Sequence, residues 1–188
     1  MQYFLLKSGE YTRSLNTDQL QDLMPERLLT KAQALKLEDT HVVFVHSQTG
    51  SEEPYPEVIS RPAYLVSNSV RLILGKYDRS LVFKAIVLID QETGKQHLYW
   101  ALGLDEIECL SEKTVYDKGR QIREIVLDEK KINNKSIFKL GGTRGKYLIV
   151  RLDVAESLLR RPFYGISLQP VRTEQDKEEH HHVALYST

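Results

Sequence analysis

The stretch from Leu81 to Leu102 constrains this chain more than any other. Leu81 to Ile89 is a run of strand-forming residues, Gln91-Glu92-Thr93-Gly94-Lys95 supplies turn chemistry, and His97 to Leu102 is apolar again. Two such runs around a short glycine-containing turn predict a long β-hairpin in the middle of the sequence. An all-helical fold is thereby excluded.

Strand signals continue on both sides of it. Met1 to Leu6 reads as a strand ended by Ser8-Gly9, and Val42-Val43-Phe44-Val45 as a strand buried on both faces. Ile107 to Leu110, Ile122 to Leu127 and Ile137 to Leu140 add three more, and Tyr164 to Val171 alternates Ile166 and Leu168 with Ser167 and Gln169. Helical spacing is confined to three places. Over residues 17–37, Leu20, Leu23 and Met24 recur at helical intervals, and after Pro25 so do Leu28, Leu29, Ala32 and Leu35. Tyr64-Leu65-Val66 leads through Asn68, a candidate cap, into Val70, Ile73, Leu74 and Tyr77. Tyr147-Leu148-Ile149-Val150 leads into Asp153 and Glu156, the spacing of a capping box, with Val154, Ala155, Leu158 and Leu159 behind. Arg160 and Arg161 suit the negative end of that helix, and Pro162 stops it. The two strand-to-helix units are alike, but two do not make a solenoid, and the similarity reads as coincidence. The expectation is one α+β domain over residues 1–171 with a mostly antiparallel sheet and helices near 17–36, 68–77 and 153–161. Residues 172–188 read as a peripheral charged tail.

Composition narrows the function classes. A chain of 188 residues can bury about 70% of its unfolded surface, enough for a complete core. Twenty-six Lys and Arg balance 26 Asp and Glu, so the basic footprint of a nucleic-acid binder is missing and no nucleic-acid partner is expected. The longest uncharged apolar runs, Ala85 to Ile89 and Leu98 to Leu102, are five residues long, which predicts no membrane partner and a cytoplasmic location. The single cysteine, Cys109, excludes an internal disulfide and reads as a buried inert thiol.

No motif carries chemistry. Gly141-Gly142-Thr143-Arg144-Gly145-Lys146 has three residues between the outer glycines where a phosphate loop needs four, and Tyr147 stands where the magnesium-binding hydroxyl belongs; it reads as a turn. Gly165-Ile166-Ser167-Leu168-Gln169 lacks the final glycine of a nucleophile elbow. His180-His181-His182 are consecutive, so their side chains diverge and make a poor metal site. Lys113, Lys118, Arg120, Arg123, Lys130, Lys131 and Lys135 are interleaved with acids and read as a solvated face. The expectation is no catalytic residue, no cofactor and no metal. His41, His46 and His97 are the candidate bases if a pocket gathers them with carboxylates. Residues 47–57, with Gly50, Pro54, Pro56 and the acids Glu52, Glu53 and Glu57, describe an exposed acidic loop. That loop is either ordinary solvated surface or a contact patch for a basic partner, built on Glu52, Glu53 and Tyr55.

The string Arg61-Pro62-Ala63-Tyr64-Leu65-Val66-Ser67 before an amphipathic helix resembles the opening segment of a bacterial family of immunity proteins of polymorphic toxin systems. Later pieces follow in the same order: Tyr99-Trp100, Leu104 to Leu110, Ile125-Val126-Leu127-Asp128, Ile137-Phe138, and Leu158-Leu159-Arg160-Arg161 into Gly165-Ile166. The likeness spans residues 57–171, with Asn68 where relatives commonly have aspartate. It implies an intracellular protein that binds and neutralises a cognate toxin, and it transfers no catalytic or metal residue. Two other classes stay open: a small enzyme with a cryptic pocket, and a structural or regulatory module that assembles with itself.

Overall fold

Strands pair their backbone N–H and C=O groups with neighbouring strands, and the described residues do so in two six-stranded sheets and one small two-stranded one. The computed structural model describes residues 1–9, 19–24, 28–46, 54–143 and 145–175. The first part of the chain contains β1 (Tyr3–Ser8), α1 (Gln19–Leu23), β2 (Leu29–Thr30), α2 (Lys31–Ala34), β3 (Thr40–Val45), β4 (Val58–Ile59), β5 (Leu65–Ser67) and α3 (Asn68–Tyr77). The middle contains β6 (Val82–Asp90), β7 (Gln96–Leu104), β8 (Glu106–Ile107), β9 (Val115–Tyr116), β10 (Ile122–Glu124) and β11 (Val126–Leu127). The last part contains α4 (Glu129–Ile132), β12 (Ile137–Leu140), β13 (Leu148–Arg151), α5 (Leu152–Leu159) and β14 (Ile166–Thr173).

The expected hairpin organises one sheet: β6 and β7 pair antiparallel from Val82 opposite Gly103 to Ile89 opposite Gln96. Its strand order is β3-β6-β7-β5-β4, with β2 alongside β7. The other sheet runs β11-β14-β1-β13-β12-β8, so the N-terminal strand sits between two strands from the end of the chain, antiparallel to both. Most pairings are antiparallel; β3 with β6, β2 with β7, β8 with β12 and β11 with β14 are parallel. The class is α+β, as expected.

Three apolar clusters hold these layers. Between the sheets, Leu6, Ile137, Leu148 and Val150 meet Val58, Val66, Leu102 and Leu104, with α3 and α5 closing the side through Val70, Leu74, Val154 and Leu158. On the far side of the hairpin sheet, Leu20, Met24 and Ala34 cover Val43, Val45, Ile86, Leu88 and Tyr99. On the far side of the second sheet, Cys109 and Ile132 cover Tyr3, Leu127, Phe138 and Ile149. Tyr64 joins the sheets directly, its buried hydroxyl donating to the Leu6 carbonyl at 2.5 Å.

Several expectations need correction. The apolar spacing over 17–37 does not give two long helices: α1 spans five residues, and Leu29, read as part of a helical stripe, pairs with β7 instead. Gly103 makes that possible, since a Cβ there would lie 2.5 Å from the Ala34 Cβ; α2 lies directly on β7. Pro25 lies outside the described residues. Val42 to Val45 is not buried on both faces, because only Val43 and Val45 point into the core. The caps shift too. Ser67, not Asn68, caps α3, its hydroxyl accepting from Val70 N at 3.2 Å. Arg151 occupies the cap position of α5, which has no side-chain capping bond and hence no capping box with Glu156. Finally β14 runs through Thr173, which is buried beside β11, so Arg172 and Thr173 belong to the sheet.

Candidate functional site

Glu52 and Glu53 lie outside the described residues; the residues that follow them, 54–57, are tied to the sheets. Pro54 is exposed, Tyr55 half-buried and Pro56 buried. The Tyr55 ring stacks on His97 with centroids 3.6 Å apart, and its hydroxyl donates to Asp90 Oδ2 at 3.0 Å. Asp90 ends β6 fully buried; its other oxygen accepts from Glu92 N at 3.0 Å and Thr93 N at 3.2 Å, which shapes the hairpin turn. One residue on, Pro56 C=O accepts from the Tyr99 hydroxyl at 2.6 Å, and burial pushes that phenol's pKa upward. Glu57 then joins three elements. Its N–H donates to Tyr164 C=O at 2.8 Å, its C=O accepts from Ser67 N at 2.9 Å, and its carboxylate accepts the Ser67 hydroxyl. Tyr55, singled out from the sequence as a contact residue, therefore serves first as an anchor.

This cluster gathers one of the three histidines with a carboxylate. His97 and Asp90 share a face of the hairpin sheet by strand alternation, and Tyr55 bridges them. His41 is half-buried on β3 opposite Ile86, and His46 is exposed at the end of that strand. Asp90 is engaged by two backbone N–H groups and a phenol, an arrangement that fixes a turn and a loop base.

A second polar cluster was not legible in the sequence. Lys31 on α2 donates to Ser80 Oγ at 2.7 Å and to Asp105 at 2.8 Å; Lys135 reaches Asp105 at 2.5 Å and Asp78 at 3.2 Å; Ser80 closes the ring on Asp78 at 2.5 Å. Hydrogen bonds from Lys135 and Lys31 hold the Asp105 pKa below its ordinary value, and the bond to Asp105 raises that of Lys135. For Asp78, burial pushes upward, but hydrogen bonds from Ser80 and Lys135 outweigh it and the net shift is down. Lys135, held charged by its carboxylate partners, is a poor nucleophile and base, and the ring ties α2 and the end of α3 to the segment before β12.

The remaining motifs fall into ordinary places. Cys109 is buried, and desolvation pushes its pKa up to about 12, which keeps the thiol protonated and unreactive. Gly142 takes a left-handed conformation (φ 69°) in a turn between β12 and β13; no helix follows, as a phosphate loop would need, and Arg144 lies outside the described residues. Ser167 sits within β14 opposite Lys7. Lys113, Lys118, Arg120 and Arg123 are exposed on and around the β9–β10 hairpin. His180, His181 and His182 lie outside the described residues. Among the described residues no group of three His, Cys, Asp or Glu side chains is placed to hold a metal ion, and no helix is long and apolar enough to cross a membrane.

Neither a scan against protein-family models nor a search of curated proteins finds a match to this chain.

Proposed function

We propose that this protein is an immunity-type binding protein that neutralises a cognate bacterial toxin in the cytoplasm by occupying it. The reading starts from the resemblance over residues 57–171. The observation that supports it best is the anchored base of the acidic loop, where Tyr55, Pro56 and Glu57 are tied to Asp90, His97, Tyr99, Tyr164 and Ser67. A loop fixed at its base loses less conformational entropy on binding than a free one, and tight inhibitors depend on that saving. Glu52 and Glu53 on such a base would steer a basic partner and speed encounter.

The test is co-expression with the toxin domain encoded beside this protein's gene. Survival of the cells and co-purification of a complex are the expected results. Glu52→Lys with Glu53→Lys should slow association and make it less salt-dependent. Equal killing with and without the protein, and no complex, would overturn the reading; protection that survives both substitutions discards only the acidic surface.

A second reading, a small enzyme, draws on the same cluster, because a phenol, an imidazole and a carboxylate converge there. It predicts turnover in a broad substrate screen that His97→Gln abolishes while the fold persists. A flat screen removes it.

A further inference from the structure

Two buried N–H groups with no acceptor stand on touching side chains at the border of the core between the sheets. Arg71, one turn into α3, lays its guanidinium on the Trp100 indole, 4.0 Å from the ring centroid and 5.5 Å from the centroid of Phe83. Arg71 and Trp100 are both half-buried, and Trp100 and Phe83 pack against that core. Stacking a cation on aromatic faces is favourable, but it leaves the edges of both groups, where the N–H bonds point, to find acceptors elsewhere. One corner does so, since Arg71 Nη1 donates to Asn68 Oδ1 at 3.3 Å. Arg71 Nε and Trp100 Nε1 are shielded from solvent and have no hydrogen-bond partner. Buried donors are paired in about nine cases of ten or more, so two orphans in one stack call for an acceptor.

The charge is unmatched as well. Among the described residues the ion pairs use other cations, and Arg71 takes part in none. Glu57, the acid beside the start of α3, is held by the Ser67 hydroxyl. With Nη1 turned to Asn68, the edge that remains carries Nε and Nη2, the fork whose parallel N–H bonds fit the oxygens of a carboxylate or phosphate.

We infer that Arg71 and Trp100 form a binding site for a small oxyanion, seated on the Nε–Nη2 edge of Arg71 and accepting the Trp100 indole N–H. The donor set defines the class. The guanidinium asks for a full negative charge, and donors on two stacked planes ask for at least two oxygens. A neutral carbonyl lacks the first and a halide the second; carboxylate and phosphate have both. A small turn of the guanidinium in its own plane brings Nε to the border of the core while the stack persists. The site stands apart from the proposed toxin contact, which lies around Tyr55, Asp90 and His97.

Trp100 is the chain's only tryptophan, so the site carries its own reporter. The full chain is titrated with sodium acetate and, separately, with sodium phosphate, each against sodium chloride at matched ionic strength, and tryptophan emission and Tm are both read. A saturable change in emission in the millimolar range and a rise in Tm are expected for acetate, phosphate or both, and whichever binds names the class. Arg71→Gln should remove both responses. Arg71→Lys keeps the charge without the fork and should weaken binding about tenfold. Trp100→Phe, followed by Tm alone, should weaken it about threefold, the loss of one donor. Circular dichroism checks that each variant is folded; should Arg71→Gln not fold, undiminished binding by Arg71→Lys overturns the proposal. So do responses that folded Arg71→Gln retains, and chloride responses equal to those of both oxyanions. Indifference of emission and Tm to acetate and phosphate up to about 100 mM overturns it too. Each outcome is independent of whether a toxin binds.

Discussion

The units β5–α3 and β13–α5 have the same plan, a short buried strand running straight into a helix, yet they start their helices by different means. At α3 the Ser67 hydroxyl accepts from Val70 N while giving its own proton to Glu57, so one side chain satisfies a helix N–H and anchors the acidic loop. At α5 no such cap exists; Arg151 makes a paired contact with Asp153 at 3.0 and 2.7 Å, and Asp153 Oδ1 accepts from Val154 N. The helices then meet, with the Tyr77 hydroxyl 3.0 Å from Asp153 C=O and 2.5 Å from Ser157 Oγ. Side-chain capping sets where α3 begins, whereas packing on a shared core sets where α5 begins and an ion pair decorates it.

The sharpest way to break that comparison is to remove equivalent core side chains. Leu74→Ala on α3 and Leu158→Ala on α5, both buried in the cluster between the sheets, should each cost about 2–5 kcal/mol, measured by urea denaturation. Both should unfold in one transition. If either helix melts separately, the two units do not share a core.

Smaller effects should separate the helix starts. Ser67→Ala removes a buried-side cap and should cost about 1–2 kcal/mol. Asp153→Ala removes a partly exposed ion pair and should cost no more than about 0.5 kcal/mol. Equal losses would mean that capping does not distinguish the two helices.

The smallest effect is one of pH. The hydrogen bond from Arg151 is the largest of the influences that lower the Asp153 pKa. A depressed carboxylate pKa contributes stability above its unfolded value, near 4, and loses it as pH falls through the folded value. The difference in stability between the native chain and Asp153→Asn should therefore be present at pH 7 and shrink towards zero in strong acid. A difference that is constant from pH 7 to pH 2 would show that the ion pair contributes nothing to α5.

These cases also show what a sequence discloses. The β6–β7 hairpin and α3 are legible because period, turn and apolar face coincide within one short window, and α3 spans residues 68–77 as expected. Ser67 and Asn68 are both competent caps, so their order could not be decided locally. The region 17–37 misled because Leu28 and Leu29 suit a helical stripe as well as a strand, and their fate depends on Gly103, more than seventy residues away. That only Val43 and Val45 of the run Val42 to Val45 are buried depends on α1 packing on that one face of β3, which no local window contains. Tyr55 was legible as a residue of interest, but its partners Asp90 and His97 lie on a hairpin 35 or more residues later. The ring of Lys31, Asp78, Asp105 and Lys135 is assembled from four separate segments and leaves no local pattern.

The position of β1 between β13 and β14 has a consequence during synthesis. Residues 3–8 leave the ribosome well over a hundred residues before either strand they pair with, 148–151 or 166–173. At about 5–20 residues per second, β1 waits on the order of ten seconds with both edges unpaired. Throughout that interval its Tyr-Phe-Leu-Leu run is open to chaperones and to other nascent chains, while the hairpin sheet can already form. Ribosome-arrested chains that expose residues only up to 140 should therefore be protease-sensitive over residues 3–8, and chains that expose residue 175 protected there. Early protection would mean that β1 finds another partner first.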